Sequence, residues 1–401
     1  MRTASARGQV PAFKVMDVLS RVGELRAQGR EVLSLCAGEP SSGPAPSVNQ
    51  AAAELHAGGE ALNYTPAAGL PELREAIAGH YERWYDTVVE PGEVLVTTGA
   101  SGAFVTMFLA AFDVGDRVAL ARPGYPAYRN ILTSLGLEVV EIPCGPETRY
   151  QPTPELLDQA TAEHGELAGL VLASPANPTG TMVNREELAA LSKWCNDRDV
   201  LLVSDEIYHG ITYPAPEQPD PRGVSAREFG DTAVVISSFS KFWGMPGWRV
   251  GWALLPPYLR KSSDALAGNV ALCAPRNAQV AAVQAFTEDA YAFGEQQVST
   301  YARNRGILLD AVPNLGWSDV APADGAFYLY ADISKVLGPY ADSAAWCAAL
   351  LEDQGVALTP GLDFDPVAGG STVRLSFAAS QDTVSRAVGR ILAFQESLRL
   401  S

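Results

Sequence analysis

Five short stretches of the chain hold residues whose types and spacing have chemical use. The densest is Ser237-Ser238-Phe239-Ser240-Lys241-Phe242-Trp243-Gly244-Met245-Pro246-Gly247-Trp248-Arg249. A lysine among aromatic and small residues can have a depressed amine pKa and act as a nucleophile. The hydroxyls before it and the guanidinium after it can hold a phosphate. Ser204-Asp205-Glu206-Ile207-Tyr208 follows an apolar run. An acid buried there needs a partner, which a structural ion pair would also supply. Ser174-Pro175-Ala176-Asn177-Pro178-Thr179-Gly180 holds an amide between two prolines, stiff enough to bond a fixed group. Pro123-Gly124-Tyr125-Pro126-Ala127-Tyr128 offers an aromatic ring on a stiff turn. Gly99-Ala100-Ser101 opens a helical run, where backbone N–H groups can approach an anion. Taken singly, each of these also fits an ordinary turn.

Their common place is the end of an apolar run. Val94–Thr98, Arg117–Ala121, Val139–Ile142, Gly169–Ala173, Val200–Ser204, Ala233–Ser237 and Trp248–Leu254 read as strands. They are continuously apolar, as strands buried on both faces of a parallel sheet are. Helices are expected over Ser101–Phe112, Pro126–Leu135 and, from an Asn184/Glu187 capping box, to Asp197. The alternation gives an α/β fold with a mostly parallel central sheet flanked by helices, and binding residues then gather at the carboxyl ends of the strands. The last hundred residues read differently, with a helix over Tyr301–Val312, strands over Gly325–Asp332 and Val373–Phe377, and a terminal helix. The expected division is a large domain over 49–290, a smaller α+β domain over 291–401, and an N-terminal segment, 1–48, that joins the smaller one.

Composition narrows the function. Hydrophobic residues make up 47% of the 401, enough for a sizeable core. The net charge of −17 (29 − 46) argues against a nucleic-acid or anionic-membrane binder. No apolar run reaches membrane-spanning length, and the N-terminus has no apolar signal segment. The five scattered cysteines read as reduced thiols in a cytoplasmic protein, and the four histidines have no metal-ligand spacing, so no metal site is expected.

The five stretches in this order resemble the pyridoxal 5'-phosphate (PLP) enzymes of fold type I, specifically the class I/II aminotransferases of the aspartate aminotransferase group. The resemblance runs from Gly38-Glu39-Pro40 to Arg374-Leu375-Ser376-Phe377. It implies an aminotransferase moving an amino group between an α-amino acid and a 2-oxo acid by a ping-pong mechanism, with β-elimination or amino acid cyclisation as the alternative on the same fold. Lys241 would carry PLP as a Schiff base and, once freed, act as the general base. Asp205 would pair with the pyridine nitrogen. Asn177 and Tyr208 would bond the ring's phenolic oxygen, and Tyr125 would stack on its face. Ala100, Ser101, Ser238 and Arg249 would hold the phosphate, with Ser240 a second hydroxyl nearby. Arg374 would clamp the substrate α-carboxylate, and Gly38 would lie against the substrate backbone. Tyr64 would reach the phosphate of a neighbouring subunit in a homodimer. For the substrate side chain two readings stay open. Arg276 would suit an aspartate-type donor unless it serves the surface or a subunit interface. The rings of Phe13, Phe242, Trp243 and Phe364 would suit an apolar donor unless they are core.

Overall fold

The seven apolar runs assemble into one sheet. The computed structural model describes residues 2–59, 61–215 and 220–400. Its large sheet is built from β1 (Val94–Thr97), β2 (Arg117–Arg122), β3 (Glu138–Pro143), β4 (Gly169–Ala173), β5 (Leu201–Asp205), β6 (Val234–Ser238) and β7 (Gly251–Leu254), in the spatial order β1-β7-β6-β5-β4-β2-β3. Strands β2 to β6 pair in parallel. Every residue of β1, β5, β6 and β7 is buried, which explains their unbroken apolar character.

One strand departs from expectation. The run Trp248–Leu254 is extended only from Gly251, and it lies antiparallel to both its neighbours. Pro246–Trp248 winds into a 3-10 turn and Arg249 takes a left-handed backbone, φ 54°. A parallel return needs a long crossover, usually a helix. The segment after β6 holds only that turn, so the chain doubles back and keeps the Lys241 loop beside the sheet end.

Helices cover both faces. Gly99–Ala111, Pro126–Leu135 and Arg185–Asp197 follow β1, β2 and β4. The last begins with the expected capping box: Glu187 N–H donates to Asn184 Oδ1 at 2.9 Å, and Asn184 N–H donates to Glu187 Oε2 at 2.7 Å. The helix expected over Tyr301–Val312 is the inner part of a longer one, Glu288–Leu315. Beyond it, β8 (Tyr328–Asp332), β9 (Thr359–Pro360) and β10 (Thr372–Ser376) form an antiparallel sheet in the order β9-β10-β8. The N-terminal Leu33–Ser34 pairs in parallel with Val356–Ala357, so the two ends of the chain share a ladder. No helix among the described residues is long and apolar enough to cross a membrane.

Chain order reverses across the sheet beside β2 and β4, and the turns after β1, β2, β4, β5 and β6 converge at their carboxyl ends. Asn184 lies away from that point. Asn184→Ala should therefore lower unfolding free energy by about 1 kcal/mol in a urea titration. An unchanged midpoint would show that the capping box adds nothing here.

Candidate active site

A cavity of about 390 Å³ opens at the converging turns. Lys241 reaches it from the loop after β6, and its Nζ donates to the Gly38 carbonyl at 2.5 Å. Burial, and next the charge of Arg374, pull this amine from 10.5 down to about 8. Asp205 closes β5 and is buried. Its Oδ1 accepts from Ile207 N–H at 3.0 Å, and its Oδ2 accepts from the Tyr128 hydroxyl. Burial outweighs those bonds and pushes the carboxyl from 3.8 up to about 6. Neither charged form is well solvated, so both groups favour an oppositely charged or hydrogen-bonding ligand between them.

One end of the cavity suits an anion. The helix Gly99–Ala111 starts with no side chain capping its first turn, leaving N–H groups for a ligand. Ala100 and Ser101 line the cavity there, with Ser240 and Arg249. Gly99 has φ +72°, and a Cβ on it would stand 2.5 Å from Arg249 Nη2. Only glycine permits this approach of guanidinium to helix end. Ser238 does not line the cavity. Its hydroxyl donates to Ser240 Oγ at 3.0 Å and accepts from Ser240 N–H at 3.2 Å, holding the serine that does.

The other end is built on Arg374, in β10. Its guanidinium is buried and donates to Asn177 Oδ1 (2.9 Å), the Cys36 carbonyl (2.7 Å) and Thr359 Oγ1 (3.2 Å). It lies between the rings of Tyr328 and Phe364, 4.5 and 4.8 Å from their centroids. Its Nε has no partner, and none of the described ion pairs includes it. A buried cation held only by neutral acceptors is poised for a carboxylate.

Gly38, Tyr125, Asn177 and Tyr208 also line this cavity, so eleven of the thirteen residues to which the resemblance gave a definite role meet there. Ser238 stands behind them, and Tyr64 does not reach the cavity of its own chain: its side chain is 78% exposed in the loop before the helix Pro71–Tyr85. Arg276, half-buried at the start of the helix Arg276–Ala282, does not line it either. The four aromatic candidates divide. Phe13 and Phe364 line the cavity, whereas Phe242 and Trp243 pack in the core with Trp84 and Tyr291. Sequence reading gave no role to Tyr128 or Tyr328. Tyr128 falls three residues after Tyr125, the N-cap of the helix Pro126–Leu135, and their rings meet edge to face with centroids 5.4 Å apart. Tyr328 had no signal beyond its place in an apolar strand.

Known proteins match this arrangement. The family model for aminotransferase class I and II matches residues 30–391. The chain belongs to that family. It is 50% identical over 386 residues, 96% of both chains, to the valine–pyruvate aminotransferase of Mycobacterium tuberculosis. It is 35% identical to the aspartate/prephenate aminotransferase of Thermus thermophilus over 97% of this chain and 98% of that one. Among solved structures, an aminotransferase from Mycobacterium tuberculosis superposes with a TM-score of 0.93 at 48% identity, covering 99% of this chain and all of that one. The protein is thus an aminotransferase with the large, mostly parallel sheet expected of it.

With its pKa lowered by burial, Lys241 should be more reactive than exposed lysines near neutrality. Trace acetylation of the cofactor-free protein, read peptide by peptide in a mass spectrometer, should give a half-reactivity pH near 8 for Lys241, against roughly 10.4 for exposed lysines. A Lys241 midpoint above about 10 would contradict the effect of its burial.

Proposed function

We propose that the protein is a PLP-dependent aminotransferase that takes an α-amino acid with an apolar side chain as donor and a 2-oxo acid as acceptor, in a ping-pong cycle. The observation that carries the reading is the cavity with a low-pKa lysine, a buried aspartate, an uncapped helix end beside an arginine, and a buried arginine without a counter-ion. Those features fit PLP and a substrate carboxylate together. Ala100, Ser101, Ser240 and Arg249 would hold the phosphate, with Ser238 fixing Ser240. Asp205 would face the ring nitrogen and favour its protonated form. Asn177 and Tyr208 would bond the ring oxygen, and Tyr125 would cover the ring. The chemistry supplied by PLP when bound is withdrawal of electrons from the substrate Cα.

The chain's own groups do the rest. Lys241 Nζ would be the group that takes and holds the proton from the substrate Cα. An amine near pKa 8 is suited to both halves of that task. Arg374 grips the α-carboxylate in a geometry set by Asn177, Cys36 and Thr359. Gly38 lets the substrate backbone approach, because it carries no side chain.

Two observations support the apolar donor. Phe13, Val15, Met16, Leu19 and Ile131 line the cavity, and the cations lining it are Lys241, Arg249 and Arg374, each already assigned. The relative at 50% identity acts, by its name, on valine and pyruvate. A side-chain carboxylate would enter without a partner, and a buried unpaired charge is costly. Valine should exceed aspartate by roughly a hundredfold or more in kcat/KM in a half-reaction assay. Equal values would overturn the donor class.

The active unit would be a homodimer in the cytoplasm, its large body formed by residues 49–290 and the smaller by 1–48 with 291–401. Exposed Leu62, Tyr64, Val270 and Leu272 support a second copy as partner. They lie on two segments that meet where Gly268 faces Ala67. Tyr64→Phe should weaken cofactor binding ten- to hundredfold, about 1.5–3 kcal/mol. Mixing Tyr64→Phe with Lys241→Ala subunits at limiting PLP should restore activity, since each hybrid would hold one intact site. A fully active monomer, or no recovery in verified hybrids, would refute the shared site.

A further inference from the structure

Apart from its ring beside Arg374, Tyr328 has no part in the cofactor and substrate contacts proposed above, yet it stands where they meet. It lies on β8, buried, with its ring in the cavity wall. Its hydroxyl is 2.7 Å from that of Tyr208. Its ring face carries the Arg374 guanidinium at 4.5 Å. A Cβ on Gly38 would come within 2.9 Å of its oxygen. Burial raises both phenols above their ordinary pKa, so both hold their protons at neutral pH.

A phenol has one proton to donate and lone pairs to accept with. If Tyr208 spends its proton on Tyr328, it has none for a ligand in the cavity. The reverse bond frees it. The Arg374 charge over the Tyr328 ring favours that reverse bond, because it stabilises negative charge on the Tyr328 oxygen and strengthens its O–H as a donor. A hydroxyl that accepts one hydrogen bond also donates a stronger one.

We propose that Tyr328 is a positioning residue of this site: it donates its proton to Tyr208, which directs and strengthens the bond that Tyr208 donates to the ring oxygen of the cofactor. The proposal rests on the PLP reading. It makes the substrate clamp and the cofactor's oxygen partner parts of one assembly, Arg374–Tyr328–Tyr208, running from the three-stranded sheet to the turn after β5.

A hydrogen bond donated to the ring oxygen favours negative charge there, at the expense of the proton shared with the Lys241 nitrogen. Weakening it should raise the pH at which the visible absorption of the loaded protein changes. Tyr328→Phe keeps the ring under Arg374 and removes only the hydroxyl. It should move that midpoint upward by roughly half a pH unit. Tyr328→Leu should in addition raise the KM for the amino donor above that of Tyr328→Phe, since Arg374 loses its platform. A second measurement needs no cofactor. In urea unfolding of the cofactor-free protein, the Tyr208→Phe/Tyr328→Phe double variant should be no less stable than the weaker single variant, because one bond is lost in all three. An unmoved absorption midpoint, or additive losses in the cycle, would overturn the relay. A wild-type protein that binds no PLP and shows no such band would overturn the cofactor reading and the relay's acceptor together.

Discussion

A guanidinium buried without a carboxylate partner constrains much of this molecule. Arg374 is gripped by neutral acceptors from three distant segments: Cys36 near the N-terminus, Asn177 after β4 and Thr359 in β9. Removing a charge from water is expensive, and only well-placed hydrogen bonds and a counter-ion offset it. The protein supplies the bonds but no carboxylate, which leaves the guanidinium open to an anion. The segments that hold Arg374 must therefore come together accurately. The ladder between Leu33–Ser34 and Val356–Ala357 supports this by fixing the N-terminal segment, just before Cys36, against the C-terminal part of the chain.

The same logic runs through the rest of the cavity. Burial raises Asp205 to about 6 and lowers Lys241 to about 8, so each holds its charge less firmly than it would in water. Hydrogen bonds limit the effect at Asp205, where Tyr128 and Ile207 N–H both donate. At Lys241 the Gly38 carbonyl accepts, but the nearby Arg374 charge opposes the ammonium form. Polar groups so poorly solvated favour ligands of complementary charge over an empty cavity. The antiparallel return of β7 serves the same end, because it keeps the Lys241 loop short and turns Arg249 towards Gly99.

The apolar wall of the cavity comes from a different part of the chain. Val15, Met16 and Leu19 belong to the helix Lys14–Ala27, whose first N–H groups donate to the Asp363 carboxylate at 3.0 and 3.3 Å. Asp363 precedes Phe364, the ring on the second face of Arg374. The apolar wall and the Arg374 platform are thus joined through neighbouring residues.

Much of this was legible in the residues alone. The strands were recognisable because the inner ones are covered on both faces and their runs are mainly apolar, and the capping box placed one helix start. The motif residues could be named because each needs a special local chemistry: a small residue at a helix end, an amide between prolines, a lysine flanked by hydroxyls and an arginine. The sequence by itself determined which residues these are and the family they belong to. Only the tertiary structure decided what stands beside them. The direction of β7, the retreat of Ser238 behind Ser240, the division of Phe13 and Phe364 from Phe242 and Trp243, and the contacts of Tyr128 with Asp205 and Tyr328 with Tyr208 all depend on partners remote in sequence. Local periodicity and propensity describe a residue's relation to its own strand or helix. Whether a ring faces the cavity or the core is settled by packing between elements, and no local pattern records it.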